Sequence, residues 1–258
     1  MRNTIFSISA AVLIVSATAC GGGSSQSTTP PTSETATAPT ASSLPQGSDP
    51  VKLDPAEFTI EIDNPWWPMA VGSRWVSRET DAEGAVSRVV VTVTNKTKTI
   101  MGIESRIVHD IVTEDGEVTE DTYDWYAQDA DGNIWYMGED TKEYANGKVK
   151  STEGSWEAGV DGASPGVIVP ADPKPGLRYR EEYYKGHAED GAEVLSLSAH
   201  AKIPFGSFDN VLKTRNYTPL EPNLVEEKFY ARGVGVVLAI TVTGGSDREE
   251  LLSFKPGA

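Results

Sequence analysis

Gly162-Ala163-Ser164-Pro165-Gly166 has the G-x-S-x-G spacing that seats a nucleophilic serine on a strand-to-helix elbow. The chemistry fails one residue later. In that elbow the residue after the serine gives its backbone N–H to the oxyanion, and Pro165 has no N–H to give. Glu153, Glu157 and Asp161 recur at four-residue spacing. On a helix they would share a face, and paired carboxylates can run acid–base chemistry. Gly154, Gly159 and Gly162 interrupt them, so no helix and no catalytic pair is expected. Asp129-Ala130-Asp131-Gly132-Asn133 groups oxygen-bearing side chains as a calcium loop does. An EF-hand needs glycine at its sixth position and a bidentate glutamate at its twelfth, whereas here Gly132 stands fourth and Asp140 twelfth. The stretch reads better as a hairpin turn between "YDWYAQ" and "IWYMG", with Asp129 and Asp131 left as a weak calcium site to test. His109, His187 and His200 show no metal-ligand spacing. No catalytic residue, metal site or cofactor is expected, and the chain does not read as an enzyme.

The elements that must position these residues are short strands. "RWVSRET", "VSRVVVTVT" and "ESRIVHDIVT" are β-branched and partly alternating. "DTYDWYAQD" puts Tyr123 and Trp125 on one face and Tyr126 on the other. Asn146-Gly147 is the strongest hairpin signal, because both turn residues need positive φ. No segment past the leader holds a 3.6-residue apolar period. These features predict a mainly β domain: a single antiparallel meander, forming a β-sandwich or a curved half-barrel. Against that background Ser151–Gly176 stands out as about 26 residues with little strand character. Loops of that length are usually functional or disordered. It predicts a lid over the sheet, with Trp156, Glu153, Glu157 and Asp161 as candidate ligand-binding residues. The six tryptophans could line a concave sheet, although core packing is their commoner role.

The 258 residues carry a formal net charge of −16. Nearly all of it falls on residues 51–258, because the first fifty residues hold only Arg2, Glu34 and Asp49 as charged groups. Such a balance repels nucleic acid and anionic membrane surfaces, and it permits cationic ligands and divalent ions.

The N-terminus reads as an export signal. Arg2 precedes an apolar run from Ile5 to Ala17, too short to span a bilayer comfortably but suited to a secretory leader. Ala17-Thr18-Ala19 then meets Cys20, the one cysteine of the chain. Ala17-Thr18-Ala19-Cys20 resembles the lipobox of bacterial lipoproteins, although Ala17 stands where a larger aliphatic residue is commoner. The resemblance implies cleavage before Cys20 and lipid attachment to its thiol. Residues 20–50 are rich in Ser, Thr, Pro and Gly and predict a flexible tether. The layout expected is a signal peptide over 1–19, a tether over 20–50 and an all-β domain over 51–258. With no second cysteine, no intramolecular disulfide supports that domain.

Several stretches resemble an uncharacterised family of secreted, often lipid-anchored bacterial β proteins. They are "NPWWPMAVGSRWV", "DWYAQDADGNIWYMGEDTKEYANGKV", "GSWEAGVDGASPG", "IPFGSFDNVLKT" and Phe229-Tyr230-Ala231-Arg232-Gly233-Val234-Gly235. That family has no established activity, so the resemblance supplies no catalytic residues. The last two stretches are also similar to motifs of curved-sheet lipoproteins that carry apolar molecules. The expectation is a lipid-anchored module on the extracytoplasmic side of a membrane. It would carry or sense a small apolar or sugar-like ligand; the alternative is a structural or protein-interaction lipoprotein of the cell envelope.

Overall fold

The structure, a computed structural model, describes residues 44–258. The signal peptide, Cys20 and the tether as far as residue 43 lie outside the described residues.

Apart from one short 3-10 turn at Pro55–Glu57, the regular elements of the described chain are all strands. In order these are β1 (Phe58–Thr59), β2 (Arg74–Thr80), β3 (Val86–Ile100), β4 (Ile103–Glu114), β5 (Glu117–Asp129) and β6 (Ile134–Ala145). Short strands β7 (Lys148–Ser151), β8 (Trp156–Glu157), β9 (Ser164–Val169), β10 (Arg178–Arg180) and β11 (Glu182–Tyr183) follow. The chain ends with β12 (Gly191–Ile203), β13 (Gly206–Tyr217), β14 (Val225–Ala231), β15 (Gly235–Thr243) and β16 (Arg248–Lys255). They form one 16-stranded sheet whose main path runs β10-β12-β13-β14-β15-β16-β2-β3-β4-β5-β6-β9-β11. Local chemistry sets the meander. Met101-Gly102, Asp115-Gly116 and Asn146-Gly147 each place two successive residues at positive φ, the two-residue turn whose twist matches the strands it joins.

The two ends of the path are β10 and β11, and only Glu181 separates them in the chain. The sheet therefore returns on itself: the single curved antiparallel meander that was expected is present and closes nearly to a barrel. The missing wall is β9, which lies inside the stretch the sequence suggested was a lid. Val167, Ile168 and Val169 are buried there, pairing with β6 on one side and β11 on the other. Gly166 makes the closure possible. A Cβ there would sit 2.4 Å from Arg180 O and from the Glu181 carbonyl, so a side chain would hold the seam open.

The last residues assigned to the tether also belong to the barrel. The Arg180 N–H donates to Pro45 O at 2.7 Å, and its Nη1 donates to Gly47 O at 2.7 Å and Asp49 O at 2.8 Å. The segment from Leu44 to Asp49 thus straps the seam from outside.

Candidate functional site: the barrel interior

Side chains alternate along a strand, so one inward residue fixes the face of its cross-strand partners. The registers give one inward surface: Thr214 and Asn216 on β13, Glu226, Lys228 and Tyr230 on β14, and Ala239 and Thr241 on β15. It continues through Glu249 and Leu251 on β16 and Ser77 and Glu79 on β2 to Val89, Val91 and Val93 on β3. Val108, Asp110 and Val112 on β4 and Glu120, Thr122, Asp124 and Tyr126 on β5 complete the turn to Glu139 and Thr141 on β6.

The two ends of this interior differ. One end is sealed by Asn64-Pro65-Trp66-Trp67-Pro68. Trp67 packs on Tyr126 at 5.7 Å and on Tyr230 at 6.4 Å between ring centroids, touching β5 and β14 at once. In the sheet those strands are separated by β15, β16, β2, β3 and β4, so the indole crosses the barrel. Asn64 fixes the entry of the plug. Its Nδ2 donates to Gly132 O at 2.9 Å, and its Oδ1 accepts from the Trp66 N–H at 2.9 Å. Gly235 lets the plug sit close, because a Cβ there would lie 2.3 Å from Trp67 Cδ1. All six tryptophans are buried, so packing is their role.

Toward the other end the lining turns acidic. Glu79 and Glu249 are directly opposed across β2 and β16. Burial, then Glu249 and Glu120, push the Glu79 carboxyl up to about 9. Burial raises Glu249 to about 7 although Ser77 hydrogen-bonds it and Lys228 attracts it. Asp110 is raised well above the usual carboxylate range by burial and by Glu120 and Asp124. On β14, burial lifts Glu226 to about 7, against the pull of Lys228. Burial alone would lower the Lys228 ammonium, but Glu181, Tyr230, Glu226 and Asp190 hold it above its ordinary value. Glu226, Lys228 and Glu249 point inward yet keep partial exposure, so water reaches the interior at these three side chains, while Glu79, Asp110 and Glu120 beyond them are buried.

The seam adds carboxylates of its own. Both Glu181 oxygens accept from Asn216 Nδ2 at 2.8 Å, and burial raises Glu181 to about 7 despite Lys228 and Asn216. Burial and the neighbouring Asp190 push the Glu182 carboxyl well up, and the two acids share a side-chain hydrogen bond. Glu182 Oε2 also accepts from Trp156 Nε1 at 2.6 Å.

Trp156 is therefore not on a lid. It is buried, stands opposite Glu139 on the inner face, and meets Tyr136 edge-on at 5.4 Å. Beside β8 lies a recess of about 340 Å³ that Trp156, Glu157 and Asp161 line with Lys98, Trp125, Glu139 and Tyr184. Lys98 Nζ bonds Glu157 Oε2 at 2.8 Å and lies 3.4 Å from the Trp125 ring centre. Glu153 is exposed and is not among the residues that line the recess. The structure thus brings three of the four sequence candidates to one recess.

The other motifs resolve simply. Asp129 closes a hairpin turn: its Oδ1 accepts from the Asn133 N–H at 2.8 Å, and its Oδ2 from Asn133 Nδ2 and Trp135 Nε1 at 2.8 and 2.7 Å. Asp131 is exposed. Ser164 opens β9 opposite Tyr183, in a strand and not on an elbow. His109 lies on the outer face, bonded to Asp121 at 2.7 Å and stacked on Tyr123.

Sequence reasoning missed the interior acids. Their signal was present in "EDTYD", where Glu120, Thr122 and Asp124 alternate on one strand face. A polar strand face is ordinarily the solvent side, so its alternation alone gives no sign that it points inward.

No family model matches the chain, and no curated protein matches it. Two solved structures are similar in part. One is a candidate exported protein with a YmcC-like fold from Bacteroides fragilis, at 14% identity and a TM-score of 0.45, covering 74% of this chain and 98% of that one. The other is a candidate lipoprotein from Parabacteroides distasonis, at 13% identity and a TM-score of 0.40, with the same coverage of both chains.

Proposed function

We propose that this chain is an exported binding protein, tethered to a membrane through a lipid on Cys20, that receives a small ligand inside its barrel. One observation carries the reading. The interior is sealed by tryptophans at one end and lined at the other by inward polar side chains, of which Glu226, Lys228 and Glu249 stay within reach of water. A barrel that serves only as a scaffold fills its centre with apolar side chains. This one fills half and leaves the other half polar. Of the apolar or sugar-like ligand that the sequence suggested, the lining favours the polar kind, because a hydrocarbon would strand every carboxyl it covered. The export leader supports the location outside the cytoplasm.

The test is native mass spectrometry of the full-length chain released in non-ionic detergent from its own cells. A bound mass displaced when the interior is altered, for example by Thr122→Leu, supports the binding reading. A chain that is ligand-free, and stays so after exposure to a small-molecule extract of those cells, overturns it.

A further inference from the structure

We propose that the barrel interior takes an organic polycation, a molecule with two or more ammonium groups along an aliphatic chain, paired to Asp110 and Glu79. This rests on the binding reading above and names its ligand class.

The first observation is unused bonding capacity. Asp110 is 1% exposed, and neither of its carboxylate oxygens has a hydrogen-bond partner. Glu79 Oε2 is buried in the same condition. The Tyr126 hydroxyl, on the same inward face of the wall, is fully buried and unpartnered. Buried polar groups in folded proteins are almost always bonded to protein, water or a ligand. All three can accept a hydrogen bond, and an ammonium supplies only donors.

The second observation is spacing. Among the described residues, no three acidic, histidine or cysteine side chains converge closely enough to hold a metal ion. The acids are strung along the wall instead. Glu120 and Asp124 are four residues apart on β5, which at strand rise is about 13 Å, with Asp110 alongside on β4. A row of acids suits a row of ammonium groups better than one compact ion.

The third observation is internal precedent. On the opposite wall the protein's own ammonium, Lys228, sits among Glu181, Glu226 and Asp190. The pairing proposed for Asp110 and Glu79 draws on the same attraction between inward acids and an ammonium, supplied by a ligand nitrogen. Glu226 and Glu249, inward and partly exposed, line the approach.

The titratable groups on this inward face are Glu79 on β2, Asp110 on β4, Glu120, Asp124 and Tyr126 on β5, Glu139 on β6, Glu226, Lys228 and Tyr230 on β14, and Glu249 on β16, with Asp81 and Asp247 near Glu79 and Glu181 and Asp190 at the seam. Burial and the neighbouring acids raise the Asp110 carboxyl and push Glu79 to about 9, so an arriving ammonium displaces protons. Binding therefore releases protons near neutral pH, and affinity rises with pH until the ligand loses its own charge.

The experiment is calorimetry of spermidine against the full-length chain in non-ionic detergent, at near-neutral pH and physiological salt. It is run in two buffers of different ionisation heat. The expected result is saturable binding with a buffer-dependent heat. Asp110→Asn should weaken it roughly tenfold or more, while Asp209→Asn, which touches only the surface His200, leaves it unchanged. If Asp110→Asn does not fold, Glu79→Gln takes its place. No saturable spermidine heat, heat that both interior variants leave intact, or saturable binding of calcium in its stead overturns the proposal. A neutral or anionic mass found by native mass spectrometry, with no spermidine heat, would refute this ligand class and leave the binding reading standing.

Discussion

Glu181 joins the two edge strands, and pH should act on stability there in a way that one substitution isolates. The residue is 4% exposed, and Asn216 Nδ2 bonds both its oxygens. Burial lifts its carboxyl from 4.5 to about 7, against Lys228 and Asn216. Between those values the folded chain keeps a proton that the unfolded chain has released. The sign follows from linkage: the contribution is full below about pH 4.5, falls as pH rises, and is lost above about 7. A gap of about 2.5 in pKa, at about 1.4 kcal/mol each, gives about 3 kcal/mol. Glutamine cannot ionise. Glu181→Gln should match the wild type near pH 4.5 and exceed it by about 3 kcal/mol near pH 8, a rise of roughly 6–12 °C in Tm for a domain of this size. Urea denaturation at several pH values across that window measures it. Glu79, Glu226 and Glu249 are raised in the same direction and tilt both curves alike, so the readout is the gap between the curves. A gap constant with pH would refute the reasoning.

Trp67→Ala should remove the cross-barrel plug and cost about 3–5 kcal/mol, read by urea denaturation. Gly235→Ala should act on the same contact from the other side, since φ is 105° there and the new Cβ would meet the indole. Its mark is a changed near-ultraviolet dichroism at a cost of roughly 1–3 kcal/mol. Arg180→Ala should free the strap, so limited proteolysis cuts faster between Leu44 and Asp49. Cys20→Ser should move the chain from the membrane to the soluble fraction if the thiol carries the lipid.

Strand identity was legible because β-branched alternation and Asn146-Gly147 are local signals. Tyr123, Trp125 and Tyr126 even took the faces expected, with a register shift between Trp125 and Tyr126 allowing both rings to be buried. Closure was not legible. It depends on β9 meeting β11 across the seam and on Gly166 admitting the Arg180–Glu181 backbone, contacts between residues about 15 apart in sequence. The run Ser164-Pro165-Gly166 looked like loop because proline and glycine usually break strands. Here Pro165 sits where the sheet is only a few residues wide, the setting in which a strand tolerates it. Spacing groups Glu153, Glu157 and Asp161, and the loop they share adds Trp156; the recess holds Trp156, Glu157 and Asp161 through β8 and the turn after it and leaves Glu153 out. The interior acids were invisible for a different reason. Alternation tells which residues share a face, but polarity is the usual guide to which face is outside, and here it points the wrong way.

That inversion separates what stabilises this barrel from what it could be used for. Trp66, Trp67, Tyr126, Tyr136 and Tyr230 form a packed aromatic block at one end, and burying each large ring contributes several kcal/mol in the folded state. Acids at the other end work against folding, as their raised pKa values record. A domain without disulfides holds only a few kcal/mol of net stability, so uncompensated burial of so many carboxyls would be removed unless something offsets it. Protons offset it at low pH, Lys228 offsets it on one wall, and a cationic ligand would offset it on the other. On that argument Asp110→Leu, which deletes the charge and keeps the bulk, should stabilise the ligand-free barrel at pH 8 by about 1–3 kcal/mol. The same change should abolish spermidine binding. A variant destabilised at every pH would mean that Asp110 supports the fold and has no ligand to meet.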